Sequence, residues 1–241
     1  MRDEQPLRTA LVTGGSRGIG RAIVEALLED DWQVYFCSRS EGSVARALEE
    51  LGERFPDRVA GRPADVRRPE EVDDLVEWVV NEADRINCLV NNAGLGIFGP
   101  VDELASDDWR LVIETNLSGA FYAIRAVAPV MKAQGSGWIF NIASLAGKNP
   151  FAGGAAYNAS KFGLVGLSEA AMLDLRHHGI RVAAILPGSV ETEFGTGRRQ
   201  DPGGWRLQPE DVARTVLDLL RYPDRALPSR IELRPSRPPK K

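Results

Sequence analysis

The chain has 241 residues, 43% of them hydrophobic and 27% charged, with a formal net charge of −4. That length suits one α/β domain with a sizeable core and leaves no room for a second, and the acidic balance speaks against a nucleic-acid-binding surface. No apolar stretch approaches a membrane span and the segment from Met1 to Pro6 lacks a signal peptide's apolar core, so a cytoplasmic protein without membrane contact is expected.

The first apolar run, Ala10 to Thr13, predicts a strand. It feeds the turn Thr13-Gly14-Gly15-Ser16-Arg17-Gly18-Ile19-Gly20, which opens a helix expected over Ile19 to Asp30. Glycine permits a tight turn and lets the backbone approach a pyrophosphate, while the free N–H groups and dipole of a helix start favour an anion. A glycine-rich turn alone is equally a structural loop, but its place between strand and helix points to phosphate binding. Candidate contacts are Gly14, Ser16, Arg17, Gly18, Ile19 and Gly20. No Gly-Lys-Ser/Thr follows the run, which excludes a P-loop.

The second strand, Val34 to Cys37, ends in Ser38-Arg39, where an NAD-selective site would carry an acid for the ribose hydroxyls. Arg39 and Arg17 can together hold a 2′-phosphate through charge-assisted hydrogen bonds; the alternative is two solvated surface arginines. The expected cofactor is NADPH/NADP in preference to NADH/NAD. A helix over Ser43 to Phe55, a strand around Val59 and the Asp65-Val66 pair come next, followed by a helix from Pro69 to Ala83, with proline suited to its first turn. A short strand, Cys88 to Val90, runs into Asn91-Asn92-Ala93-Gly94. Read alone, Asp65 is a helix cap and the Asn pair a turn.

The second half continues with a long helix over Asp107 to Gln134 that contains Asn116, a strand over Trp138 to Ile142, Ser144, and a helix over Ala155 to His178 stopped by Gly179. A strand over Val182 to Leu186 then enters Pro187-Gly188, with Val190 and Thr192 beyond it. A helix over Pro209 to Arg221 and a last strand over Ser229 to Leu233 complete the pattern. Seven short apolar runs alternating with six helical segments predict a single-domain α/β Rossmann fold: a doubly wound, seven-stranded parallel sheet with helices on both faces, whose ligands bind at the strands' carboxyl ends. Cys37 and Cys88 read as buried thiols of a reducing compartment, and the adjacent His177 and His178 cannot build a metal site alone.

Tyr157 and Lys161 stand one helical turn apart, so both side chains leave one face of a helix. Such a pair is commonly a solvated face. It is also what proton transfer requires, because an ammonium roughly 4 Å from a phenol, at an effective dielectric near 20, favours the phenolate by about 4 kcal/mol, on the order of three pKa units. Only five of the 30 basic residues are Lys, and a compact ammonium is not interchangeable with a guanidinium fork.

In order, Thr13-Gly14-x-x-x-Gly18-x-Gly20, Asp65, Asn91-Asn92-Ala93-Gly94, Asn116, Ser144, Tyr157-x-x-x-Lys161 and Pro187-Gly188 with Thr192 resemble the short-chain dehydrogenase/reductase family, in its compact single-domain branch, over nearly the whole length. The resemblance implies one NAD(P)-binding Rossmann domain over 1–241. Asp65 would bond the adenine with Val66 beside it, Asn91, Ala93 and Gly94 would line the cofactor cleft, and Val190 and Thr192 would meet the nicotinamide carboxamide after the Pro187-Gly188 turn. Ser144 would polarise a carbonyl, Tyr157 protonate its oxygen, Lys161 lower the Tyr pKa while holding the nicotinamide ribose, and Asn116 anchor a relaying water.

The activity implied is reversible, NADPH-dependent reduction of a ketone or aldehyde carbonyl to an alcohol. An NADP-dependent 3-hydroxy acid dehydrogenase, a 3-oxoacyl thioester reductase and a non-catalytic dinucleotide sensor are the alternatives. Members resembling 3-oxoacyl-carrier-protein reductases commonly finish with Asp-Gly-Gly, where this chain has Ile231-Glu232-Leu233-Arg234-Pro235. The segment 193–207, with Arg198 and Arg199, is expected to set the substrate as a mobile lid, Phe151 and Trp205 to wall the pocket or merely pack, the tail 235–241 to be flexible, and the long helices to form a homotetramer or homodimer.

Overall fold

We describe residues 7–192 and 204–239 of a computed structural model. The expected runs fold as strands β1 (Arg8–Thr13), β2 (Trp32–Ser38), β3 (Val59–Pro63), β4 (Cys88–Asn91), β5 (Gly137–Ile142), β6 (Ile180–Pro187) and β7 (Arg230–Leu233). They pair in parallel in the order β3-β2-β1-β4-β5-β6-β7. The chain builds outward from β1 in one direction and then returns to β4 on its other side. The crevice between the carboxyl ends of β1 and β4 is therefore the switch point where such sheets hold ligands.

The strands read as unbroken apolar runs because both faces are covered. Successive side chains point to opposite faces of a strand, and the two cores divide them accordingly. Ala10, Val12, Val34, Phe36, Val90 and Phe140 join one cluster, packed against α1 (Gly18–Glu29), α2 (Glu41–Arg54) and α7 (Pro209–Leu220). Leu11, Tyr35, Cys37, Leu89 and Ile139 join the other, against α3 (Pro69–Ala83), α5 (Gly119–Gln134) and α6 (Ala155–Leu175). Leu11 is fully buried between layers, so Leu11→Ala would cost about 2–5 kcal/mol. Pro69 and Pro209 both occupy helix first turns as expected, and Cys37 and Cys88 are buried free thiols.

Three expectations are corrected. The single helix predicted over Asp107 to Gln134 is α4 (Ser106–Ile113) and α5 separated by a π-helical turn, Glu114–Ser118. The Gly119 N–H reaches back to the Glu114 carbonyl, and the turn holds Asn116 where its amide grips the backbone of Leu95. The helix predicted to His178 ends at Leu175 and tightens into a 3₁₀ turn, Arg176–His178, before Gly179 at φ 75°. At the C-terminus the expected free end is partly seated: the Gly188 N–H donates to the Leu233 carbonyl, and Pro235 lies against Gly188. Arg198, Arg199 and the rest of 193–203 lie outside the described residues.

Candidate active site

A continuous cavity of about 1530 Å³ opens along the carboxyl edge of the sheet. Drug-sized ligand pockets occupy roughly 300–1,000 Å³, so this volume accommodates a dinucleotide with a second small molecule. Gly14, Ser16, Arg17, Gly18, Ile19, Ser38 and Arg39 line one end; Ser144, Tyr157, Lys161, Pro187, Gly188, Val190 and Thr192 line the other. Ala64 and Val66, which follow the edge strand β3, belong to the first end, and Ala93 and Gly94, which follow β4, form the waist.

The glycine turn is built for close backbone approach. Gly14 and Gly18 adopt φ 67° and 56°, left-handed values that disfavour a side chain. A Cβ on Gly14 would stand 2.9 Å from Ala93 Cα. No acid occupies the first turn of α1, and Arg17 at its N-cap makes no side-chain capping bond. That leaves a helix start whose dipole favours an anion, beside two cavity-lining guanidiniums. The residues fit a nicotinamide dinucleotide carrying a further phosphate.

Three predicted contacts sit behind this wall rather than on it. Gly20 does not line the cavity; a Cβ there would collide with the Gly14 carbonyl, so its role is to close the turn. The Asp65 carboxylate is held by the Arg67 guanidinium, which keeps it below the usual carboxylate range, while its neighbours Ala64 and Val66 form the lining. Asn91 is buried in β4, and its amide donates to Asn141 Oδ1 at 2.9 Å. Asn141 in turn donates to Ser168 Oγ at 2.8 Å, so this polar chain ties β4 and β5 to α6. Asn92, by contrast, reaches the glycine turn, donating from its amide to the Thr13 and Gly14 carbonyls. Its backbone N–H and that of Ala93 both donate to Thr13 Oγ1, at 3.1 Å.

At the other end, Ser144 caps a 3₁₀ turn, Leu145–Gly147, by accepting from the Ala146 N–H at 3.1 Å, and it lines the cavity with Tyr157. A Cβ on Gly147 would stand 2.7 Å from the Lys161 carbonyl, so glycine lets this turn press against α6. Lys161 is 5% exposed, and its ammonium donates to the Ile142 carbonyl at 2.9 Å, with Nζ 5.8 Å from the centre of the Tyr157 ring.

Burial pushes Lys161 down to about 8 and pushes the Tyr157 phenol up, with the Ser144 hydrogen bond pulling the other way. The net shift of the Tyr157 phenol is thus upward rather than downward. Desolvation of the phenol dominates, and the ammonium is engaged by Ile142. Asn116 is held by protein partners. Its Oδ1 accepts from the Leu95 N–H at 2.8 Å, and its amide donates to the Leu95 carbonyl at 2.9 Å and to Ser160 Oγ at 3.0 Å. Ser160 itself donates to the Tyr157 carbonyl at 2.8 Å. The Asn116 side chain therefore braces the backbone of Tyr157 through Ser160.

Beyond Pro187, Leu207 accepts from the Glu191 N–H at 2.8 Å and donates to the Ser189 carbonyl at 3.0 Å. The intervening Val190 accordingly turns its own N–H and C=O away from this bridge. Sequence reasoning missed Thr115, a residue of the cavity wall whose buried hydroxyl has no hydrogen-bond partner among the described residues, and Phe98, which packs on Tyr157. It also missed Pro235 and Pro238 on the cavity wall, which composition had assigned to solvent.

Comparison with known proteins accords with this geometry. The sequence profile of the family described as short chain dehydrogenase matches residues 8–203. A Streptomyces coelicolor protein, provisionally named a ketoacyl reductase, is 39% identical over 211 residues, covering 86% of this chain and 80% of its own. A variant of actinorhodin polyketide ketoreductase solved with NADPH superposes with a TM-score of 0.87 at 35% identity, covering 95% of this chain and 96% of its own. An alcohol dehydrogenase from the archaeon Thermococcus sibiricus, complexed with 5-hydroxy-NADP, gives a TM-score of 0.90 at 27% identity, over 98% of this chain and all of its own.

Proposed function

This chain belongs to the short-chain dehydrogenase family and is an oxidoreductase of that type, and we propose that it reduces a ketone or aldehyde carbonyl to an alcohol at the expense of NADPH. The observation that carries the reading is that Ser144, Tyr157 and buried Lys161 line the same cavity as the glycine turn and its two arginines. NADP-type ligands in the related ketoreductase and alcohol dehydrogenase structures support the choice of dinucleotide.

Arg17 and Arg39 would hold the 2′-phosphate, the turn from Gly14 to Ile19 the pyrophosphate, Ala93 and Gly94 the waist, and Val190 and Thr192 the carboxamide. Asp65 remains a proposed adenine partner through carboxylate capacity that Arg67 leaves over. When bound, the reduced nicotinamide supplies hydride to the carbonyl carbon. Ser144 holds the carbonyl oxygen through its hydroxyl, and Tyr157 gives it a proton. Burial keeps the phenol protonated near neutrality, the form an acid catalyst needs for reduction. As Tyr157 releases its proton, the Lys161 ammonium stabilises the charge that develops on the phenol, and both donors are fixed before the reaction begins.

Phe121, Phe162 and Leu173 lie exposed on α5 and α6, which supports self-association through those helices. Light scattering would read the dimer or tetramer. Buried free thiols and the lack, among the described residues, of a helix able to cross a membrane support a cytoplasmic setting. The reaction is tested by following NADPH oxidation with a panel of ketones, aldehydes and 3-oxoacyl thioesters. Turnover by the wild type and none by Tyr157→Phe is expected; equal turnover by both would remove Tyr157 from the chemistry.

A further inference from the structure

Three aromatic rings from three chain segments meet at the carbonyl end of the cleft. Phe98 lies 5.6 Å from the Tyr157 ring, centre to centre and edge-on, and 5.8 Å from Phe151, which is itself 6.4 Å from Tyr157. Phe98 and Phe151 both line the cavity, yet they are 46% and 47% exposed. Half-exposed aromatics on wandering loops would mean little, but these loops are pinned. The Gly99 N–H donates to the Gly153 carbonyl at 2.8 Å, which binds the segment after β4 to the segment before α6. The Phe151 carbonyl accepts from Asn158 Nδ2 at 2.9 Å, anchoring it to the residue after Tyr157. Gly154 makes room for the ring, because a Cβ there would stand 2.6 Å from Phe151 Cε2.

The fold thus holds two apolar faces open to the cleft at a set distance from the proton donor. Solvated rings held this rigidly are pre-organised to receive a third apolar surface. Aromatic faces favour flat partners in edge-on or offset contact at centroid separations of about 4.5–7 Å. We propose that Phe98 and Phe151 form a specificity wall selecting carbonyl compounds whose carbonyl is attached to a flat aryl or fused-ring group. The inference rests on the carbonyl-reductase reading above and names the substrate class of that same site.

The test compares α-tetralone with a decalone, a saturated bicyclic ketone of equal ring count that lacks the flat face. The ratio of kcat/KM values, tetralone over decalone, is measured for the wild type, Phe98→Leu, and Phe98→Leu with Phe151→Leu, with circular dichroism confirming that each is folded. Leucine keeps apolar bulk and removes the ring, so the ratio should fall about fivefold in the single variant and about twentyfold in the double. A ratio unchanged within twofold, whether both values fall together or neither moves, would overturn the wall: the rings would then only brace Tyr157. Calorimetric titration of tetralone, without NADPH, separates this inference from the reading beneath it. Tetralone binding that weakens in the variants, with no carbonyl reduced by any form, would sink the reductase reading and leave the wall standing. Turnover with an unchanged ratio and unchanged tetralone binding would do the reverse.

Discussion

At one end of the cleft Arg17 and Arg39 are exposed at the mouth of a glycine turn, whereas at the other Lys161 is buried with its ammonium on the Ile142 carbonyl. The difference matches two kinds of work. Holding a phosphate needs charge that stays put and geometry set by backbone, which exposed guanidiniums and a helix start supply. Moving a proton needs a donor that keeps its proton until the reaction calls for it, and burial supplies that by holding the Tyr157 phenol protonated, with Lys161, brought down to about 8, fixed beside it.

Removing the proton donor should have the largest effect. Tyr157→Phe keeps the ring packed on Phe98 but lacks the hydroxyl, so kcat should fall by about 10³-fold while NADPH affinity, read by fluorescence titration, changes less than about threefold. Comparable losses in both would assign the site's proton chemistry elsewhere.

The buried cation has a signature in stability. Because the folded-state pKa of Lys161 lies below its unfolded value of 10.5, the unfolded chain binds one more proton between about pH 8 and 10.5, and this group makes stability rise with pH across that window. The change is about 3 kcal/mol, full above the window and lost below it. Urea unfolding of the wild type, minus that of Lys161→Met, should show this rise; a difference that stays flat from pH 8 to 10.5 would contradict the desolvated ammonium.

At the phosphate end the backbone should matter more than charge. Gly20→Ala forces a Cβ into the Gly14 carbonyl, and a loss of about 1–3 kcal/mol in thermal or urea unfolding is expected, with weakened NADPH binding. Arg39→Asp should be mildest, shifting the ratio of NADPH to NADH affinity about tenfold toward NADH with little effect on stability, as Arg39 is exposed. An unchanged ratio would mean that Arg39 faces solvent only.

The two ends were also unequally legible. Gly14, Gly18 and the strand before them can be read from sequence because local backbone geometry dictates them, and the apolar runs at β1, β2 and β5 declare a sheet covered on both faces. The carbonyl end depends on long-range meetings. The π turn at Glu114–Ser118 keeps a helix-like pattern in sequence and is marked only by Asn116 gripping Leu95, and Phe98 and Phe151 converge on Tyr157 only once Gly99 pairs with Gly153. Pro235 looked like part of a solvated end because composition cannot show that β7 continues its hydrogen bonding to Gly188.

The central claim is tested most directly with NADPH deuterated at the transferring position, mixed with the wild-type protein and an aryl ketone and followed by mass analysis of the product. We predict an alcohol carrying one deuterium on the former carbonyl carbon, formed in step with NADPH consumed. NADPH that binds but is never consumed with any carbonyl, together with NADP that no alcohol reduces, would contradict it.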